Sequence, residues 1–217
     1  MAKTEGLVLE ERMLIGTVAP AAAFEDMSRF RNNGVHTDVT WVRLPSGLWV
    51  RYCNGTSSRV VVTDNFSLDF TNNTMTIWAN LVSTMPTAVS ARILCLKSAA
   101  GLLGLGYYQT VAVGTRTLVF MADTGANRAT YTWAADDRWH QWTGVYNGTP
   151  YLYMDGVLVA TGIADTWTPN ATDLYLGGSP AGRYCQCYIS GVRIYNRALS
   201  DTEVRKRFEA TRSWYGV

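Results

Sequence analysis

The sequence predicts an all-β fold: a two-sheet antiparallel β-sandwich (jelly roll) with a short C-terminal helix. Short runs of β-branched and aromatic residues alternate with turn signals along almost the whole chain, as is typical of sandwiches. Strands do not alternate with long helical patterns, which argues against a parallel α/β sheet. The strongest helix signal lies near the C-terminus. A closed barrel is the less favoured alternative.

The composition is that of one nearly neutral domain. The chain has 217 residues, and sandwiches often reach about 200–250 residues as one unit. Charged residues make up only 17% and the net charge is +2, so neither nucleic acid nor an anionic membrane is expected as a partner. No apolar run approaches the roughly 20 residues of a membrane span. We expect one domain over residues 1–217, with an N-terminal strand or arm over 1–23.

Strands are predicted where apolar or aromatic runs are bounded by Gly, Pro, Asn or Asp. Asp155-Gly156 separates two such runs and is the strongest hairpin signal in the chain. The predicted strands are residues 41–44, 48–53, 59–63, 75–82, 92–97, 107–113, 116–122, 129–133, 139–146, 151–155, 157–161, 173–176 and 184–195.

The helix prediction, residues 200–213, depends on its first turn. Ser200 and Glu203 have the spacing of a capping box, and Leu199 and Val204 have that of a hydrophobic staple. The arginines and lysine that follow are interpreted as a solvated helix face rather than a phosphate-binding patch.

The four cysteines are interpreted as buried thiols. Cys185 and Cys187 lie two residues apart, but no further Cys or His is close in sequence, which argues against zinc. A disulfide, for example from Cys53 to the Cys185/Cys187 pair, is left open.

Residues 13–23 superficially resemble a signal peptide, but the stretch before them is net acidic, and Gly16 and Pro20 interrupt the apolar run. We therefore expect synthesis in the cytoplasm without a signal peptide. The expected location is a virion, or the extracellular space after lysis.

Three segments of the chain carry recognisable motifs. The first, residues 24–34, is FEDMSRFRNNG. The second is WHQWTGVYNG at 139–148 with LYMDGV at 152–157, and the third and most specific is LYLGG at 174–178 with ISGVRIYNRALSDTEV at 189–204. Together they resemble the laminin-G-like (pentraxin-related) branch of the concanavalin A-like lectin/glucanase superfamily, in which the first segment is similar to a D-x-S-G-N-G-N-x-G turn. The resemblance spans about residues 6–208 and implies a jelly roll whose last strand leads into a helix.

The resemblance also implies a calcium site on the N-terminal turn. Asp26, Asn32 and Gly34 match the motif's Asp, second Asn and last Gly, and hard cations prefer oxygen ligands. Arg29-Phe30-Arg31 replaces the motif's Gly-Asn-Gly. The alternative is a metal-free turn in which Asp26 caps backbone N–H groups.

Carbohydrate binding needs exposed aromatic faces with a few polar groups. The candidate stacking residues are those expected at strand ends, in loops or in the tail: Trp133, Trp167 and Trp214.

Catalysis is not expected. Glucanases of this superfamily carry a Glu-x-Asp-x-Glu cluster on one strand, and most glycoside hydrolysis needs two carboxylates. This sequence lacks the cluster, and all its glutamates lie near the termini: Glu5, Glu10, Glu11, Glu25, Glu203 and Glu209.

The expected function is a non-catalytic module that binds a glycan or another surface ligand. A free-standing domain with its own Met and few surface charges further suggests a phage or virus particle component, such as a decoration, tail or adhesion protein. Its expected partners are then a homo-oligomer or a virion shell or tail. The alternatives are a structural assembly protein without glycan binding and, less favoured, a glycan-cleaving enzyme.

Overall fold

The computed structural model describes residues 5–20, 23–82, 91–97, 103–109, 115–121 and 128–217. Its first strands are β1 (Leu7–Glu10), β2 (Leu14–Ile15), β3 (Ala23–Phe24), β4 (Gly34–Thr37), β5 (Thr40–Arg43), β6 (Leu48–Asn54), β7 (Arg59–Val62) and β8 (Asn73–Leu81). The later strands are β9 (Ala91–Lys97), β10 (Leu103–Gln109), β11 (Thr115–Met121), β12 (Ala129–Ala134), β13 (Trp139–Tyr146), β14 (Pro150–Met154), β15 (Val157–Thr161), β16 (Leu174–Leu176) and β17 (Gln186–Tyr195).

The strands form two antiparallel sheets, which confirms the predicted sandwich. The nine-stranded sheet has the order β15-β14-β13-β8-β17-β6-β2, with β1 beside β17 and β5 beside β6. The eight-stranded sheet has the order β12-β11-β10-β9-β16-β7-β4-β3. Both sheets therefore mix strands from the two halves of the chain.

The core lies between the sheets and is closely packed. Ile77, Phe120 and Trp142 are fully buried there. Gly144 on β13 lies against the ring of Phe120, and a Cβ atom at this position would overlap that ring. A glycine is therefore needed where β13 packs against Phe120 of the facing sheet.

Helix α1 (Asp201–Thr211) covers the outer face of the nine-stranded sheet and runs into a 3₁₀ turn, Arg212–Tyr215. The predicted capping box is present: the Glu203 amide donates to Ser200 Oγ at 3.4 Å, and the Ser200 amide donates to Glu203 Oε2 at 3.0 Å. The ring of Trp78 stacks on Tyr215 at 4.2 Å between centroids. Among the described residues, no helix combines the length and apolar character that crossing a membrane requires.

Two strand predictions differ from the structure at the N-terminal side and at β10. The N-terminal strand or arm expected over residues 1–23 contains β1 and β2, whose bounds were not predicted, and neither β3 nor β4 was predicted. The predicted strand 107–113 instead begins at Leu103, and residues 110–113 lie outside the described ranges. Gly104 and Gly106 lie on this strand. Both positions require glycine because a Cβ atom at either would overlap a carbonyl oxygen of β9.

The cysteines also differ from the simplest expectation. Cys185 and Cys187 are bonded to each other, whereas Cys53 and Cys95 are free and buried. Burial raises the pKa of both free thiols to about 12, so they pack as apolar groups.

Candidate functional site

The turn formed by residues 26–33, here called the Asp26 turn, joins β3 to β4 and is organised by one buried carboxylate. Asp26 is fully buried. Its Oδ1 accepts hydrogen bonds from the amides of Glu10 and Ser28, both at 2.8 Å. Its Oδ2 accepts from Ser28 Oγ at 2.7 Å and from the Asn32 amide at 2.6 Å. These four donors occupy the roughly four lone-pair positions of a carboxylate.

The other two residues of the predicted calcium site have structural contacts of their own. Asn32 Nδ2 donates to the carbonyl of Val8 at 2.7 Å and to Ser67 Oγ at 2.9 Å, and its Oδ1 accepts from Asn65. Gly34 lies on β4 against β7, where a Cβ atom would be 2.8 Å from Val60 Cγ1.

These residues do not fit a calcium ion. Calcium takes about six to eight oxygen ligands, which must have free lone pairs. The side-chain oxygens of Asp26 and Asn32 already accept hydrogen bonds, and Asp26 is inaccessible. The part of the chain that the structure describes contains no group of three His, Cys, Asp or Glu side chains suited to a metal. The turn has the geometry of the metal-free alternative.

A cleft of about 550 Å³ opens beside the Asp26 turn, between it and the N-terminal strand. We call it the turn cleft. Its lining combines apolar, polar and charged residues: Glu5, Gly6, Leu7, Glu10, Met27, Ser28, Arg29, Phe30 and Asn196. Its size is within the usual range of small-ligand sites, about 300–1,000 Å³.

An aromatic pair and an arginine stand at this cleft. The ring of Phe30 meets that of Phe66 edge to face, with 6.0 Å between centroids. The Arg29 guanidinium lies 4.6 Å from the Phe30 ring centroid, within cation–π distance. Phe66 is 80% exposed. Within the described ranges, neither Arg29 nor Arg31 forms a salt bridge.

The two carboxylates of the turn cleft differ in their partners and exposure. Glu10 Oε1 accepts from Arg193 Nε at 2.8 Å, so its charge is paired. Glu5 is exposed, and its backbone carbonyl accepts from Arg197 at 3.0 Å. The cleft thus offers an apolar wall, hydrogen-bonding groups and one arginine without a carboxylate partner among the described residues.

The structure does not bring the three predicted stacking tryptophans together. Trp167, expected in an accessible loop, is only 6% exposed because its indole packs in the core and donates to the Phe70 carbonyl at 3.1 Å. Trp133 is half-buried on β12, with its centroid 5.1 Å from that of Trp142. Trp214 is 37% exposed in the C-terminal 3₁₀ turn. Burial therefore removes the face that Trp167 would need for stacking.

Sequence reasoning overlooked the residues that shape the turn cleft. Arg29-Phe30-Arg31 was noticed only as a departure from a metal-binding motif, although this departure is where the aromatic and basic groups lie. Phe66 was not singled out because it is 36 positions from Phe30 in sequence and nothing local links them.

Comparison with known proteins supports the predicted fold. A laminin G family model, described as concanavalin A-like lectin/glucanases superfamily, matches residues 54–205. No curated protein sequence matches the chain significantly.

Solved structures share the fold at low sequence identity. The binding domain of Paraclostridial Mosquitocidal Protein 1 has a TM-score of 0.71 and 17% identity over 97% of this chain and 55% of that one. The receptor binding domain of botulinum neurotoxin D has a TM-score of 0.68 and 12% identity over 95% and 53%. The binding domain of botulinum neurotoxin DC in complex with SialylT has a TM-score of 0.64 and 12% identity over 95% and 52%. The chain spans about half the length of these structures.

Proposed function

Because the chain belongs to the concanavalin A-like lectin/glucanases superfamily, we propose that it is a non-catalytic module that binds a glycan or another cell-surface ligand. The observation that carries the proposal is the turn cleft, with the Phe30–Phe66 pair and Arg29 at its edge. Sugar rings place their apolar C–H faces on aromatic side chains and direct their hydroxyls to polar groups. The turn cleft supplies both kinds of contact.

The exposure of Phe66 supports this use of the cleft. A phenylalanine that is 80% exposed keeps most of its ring in water, and covering it with a ligand would release that unfavourable hydration. Met27, which lines the cleft, is 45% exposed. Phe66, packed against the cleft residue Phe30, and Met27 thus both offer apolar area to a ligand.

The contacts of the carboxylates support binding rather than hydrolysis. Glu5 and Glu10 both line the turn cleft, and glycoside hydrolysis usually uses two carboxylates. Glu10 is paired with Arg193, so its carboxylate already has a protein partner. A binding role is also compatible with the matched structures, since two of them are described in complex with SialylT and with rat synaptotagmin II.

We further propose that the module acts in an assembled phage or virus particle, outside the cell after lysis, as a decoration, tail or adhesion protein. The supporting observation is apolar surface away from the turn cleft. Ile15 and Val18, on and after β2, are 57% and 80% exposed, and Val35 on β4 is 69% exposed. Exposed apolar side chains on both sheets are compatible with a partner that covers them.

A glycan array with the whole purified chain tests ligand binding. Binding should weaken about tenfold in Phe66→Ala and in Arg29→Ala, because each removes one contact of the aromatic–cation edge. The matched controls Ile163→Ala and Arg138→Ala alter an exposed apolar residue and an exposed arginine elsewhere, and should bind like the wild type. Loss of binding in Trp214→Ala alone would instead assign the glycan site to the surface around Trp214. Release of reducing sugar from a bound glycan would contradict the non-catalytic assignment.

Light scattering tests the assembly proposal. We expect a stable oligomer whose mass is unchanged by a calcium chelator, because the side-chain oxygens of Asp26 and Asn32 already accept hydrogen bonds. A monomer at micromolar concentration would contradict self-assembly and leave the glycan proposal untouched.

A further inference from the structure

A second cleft, of about 470 Å³, lies on the outer face of the nine-stranded sheet, far in sequence from the Asp26 turn. We call it the hairpin cleft because it separates the β14–β15 hairpin from the first turn of α1. Its floor consists of Val145, Tyr153 and Leu199, which are 2%, 3% and 4% exposed. Tyr151, half-buried, and Leu158, 42% exposed, form its open wall. The cleft therefore has a rigid apolar base and an accessible aromatic side.

The rim of the hairpin cleft is polar but carries no cation. Asn147, Ser200, Asp201 and Thr202 line it, and all are exposed. Asp201 Oδ1 accepts from the Tyr153 hydroxyl at 2.6 Å, which fixes the carboxylate beside the cleft. No lysine or arginine is among the lining residues. The rim therefore offers amide, hydroxyl and carboxylate groups suited to hydroxyl ligands.

The first turn of α1 disfavours an anion here. Ser200 Oγ accepts the Glu203 amide, so the capping box already satisfies one of the free N–H groups at the helix start. Asp201 and Glu203 add negative charge to the same turn. Glu203 is paired with Arg197, but no lysine or arginine lines the cleft, so an anionic sugar would meet the Asp201 carboxylate without a cation in the lining.

We propose that the hairpin cleft binds a neutral sugar ring. The apolar face of the ring would lie against Tyr151 and Leu158, and its hydroxyls would bond to Asn147 and Asp201. The proposal rests on the proposed function only for the class of ligand, a glycan. The residues involved are separate from the turn cleft, so either site can fail without the other.

Saturation-transfer-difference NMR on the whole chain tests the proposal with four probes: methyl β-D-glucopyranoside, methyl β-D-galactopyranoside, methyl α-D-mannopyranoside and N-acetylneuraminic acid. We expect saturation of at least one neutral glycoside and none of the acid. Tyr151→Ala and Asn147→Ala should each reduce the affinity about fivefold or more, since one removes the stacking ring and the other a hydrogen-bonding amide. Asn147 is exposed, so we expect its substitution to leave folding intact.

Tyr175→Ala is the matched control, because Tyr175 is a half-buried tyrosine on β16 of the other sheet. It should bind the neutral glycoside like the wild type. Equal binding of N-acetylneuraminic acid, binding insensitive to both Tyr151→Ala and Asn147→Ala, or no binding of any neutral glycoside would overturn the proposal. Neutral binding lost only in Phe66→Ala would assign it to the turn cleft, overturning this proposal while upholding the proposed function.

Discussion

The Asp26 turn and the first turn of α1 are both stabilised by a side chain that caps backbone amides, but one is buried and the other is at the surface. In each, a side chain accepts hydrogen bonds from backbone amides that have no strand or helix partner. Asp26 does so when fully buried, with four donors on one carboxylate. Ser200 does so at the surface, within a capping box. Water can replace the contacts of Ser200 but cannot reach those of Asp26, so burial should decide how much each contributes to stability.

The largest effect is expected for Asp26→Ala. It leaves three backbone amides without an acceptor, and each buried unpaired donor costs about 1–3 kcal/mol. The Ser28 hydroxyl keeps the Val8 carbonyl as an acceptor at 3.1 Å. We expect the free energy of unfolding, measured by urea titration, to fall by about 3 kcal/mol or more. Asp26→Asn keeps one accepting oxygen and should lose less. A loss below about 1 kcal/mol in Asp26→Ala would show that burial does not govern the comparison.

A pH effect is expected from a second buried group on the N-terminal side. The ring of His36 contacts that of Trp41 in a tilted arrangement, with 5.5 Å between centroids. Burial, assisted by the charge of Arg51, lowers the pKa of His36 to about 4. The unfolded histidine, with its pKa near 6.5, binds a proton more readily, so stability is lost as pH falls from about 6.5 to about 4.

The melting temperature of the wild type should therefore fall over this pH range. His36→Gln should show a shallower fall, because it has no imidazole to protonate. Identical pH profiles for the two proteins would contradict the assigned role of His36.

A smaller loss is expected for Ser200→Ala at the other turn. Removing an N-cap hydroxyl typically costs about 1 kcal/mol. The expected loss is well below that of Asp26→Ala because the amides of this turn remain open to water. Urea titration of both variants measures the difference directly, and Ser200→Thr serves as a control that keeps the hydroxyl. Equal losses in Ser200→Ala and Asp26→Ala would remove the distinction between the two turns.

The smallest effect is expected from metal removal. The oxygens of Asp26 already accept protein hydrogen bonds, so calcium has no lone pairs to bind there. The melting temperature should be the same with excess calcium and with a chelator. A rise with calcium that disappears in Asp26→Asn would show that the turn can open to admit the ion.

Local signals in the sequence predicted the local parts of the fold. Asp155 and Gly156 both adopt positive φ, 52° and 76°, as the predicted hairpin turn requires. The capping box likewise placed the start of α1. The bounds of β1 and β2, and strands β3 and β4, escaped prediction because their short sequences gain stability by pairing with other strands. Strand β1 pairs with β17, β2 with β6 and β4 with β7, all farther along the chain, and β3 pairs with β4.

The candidate site was predictable only in part for the same reason. The motif singled out Asp26 but could not show that Glu10, 16 residues earlier, donates to its carboxylate. The hydrogen bond occupies an oxygen that calcium would have needed. Trp167 was expected to be accessible because it lies outside the predicted strands, yet its indole is held by the Phe70 carbonyl 97 residues away.

Strand β17 has a consequence for how the molecule is made. It is the last strand of the chain, yet it lies inside the nine-stranded sheet, paired with β8, β6 and β1. A nascent chain cannot complete this sheet until residues up to Tyr195 have left the ribosome. Such distant pairings fold slowly, on the millisecond-to-second scale typical of sandwiches. During synthesis, one edge of β6 and one edge of β8 therefore stay unpaired until β17 is available. Chaperones or rapid synthesis would protect these edges from pairing with other chains.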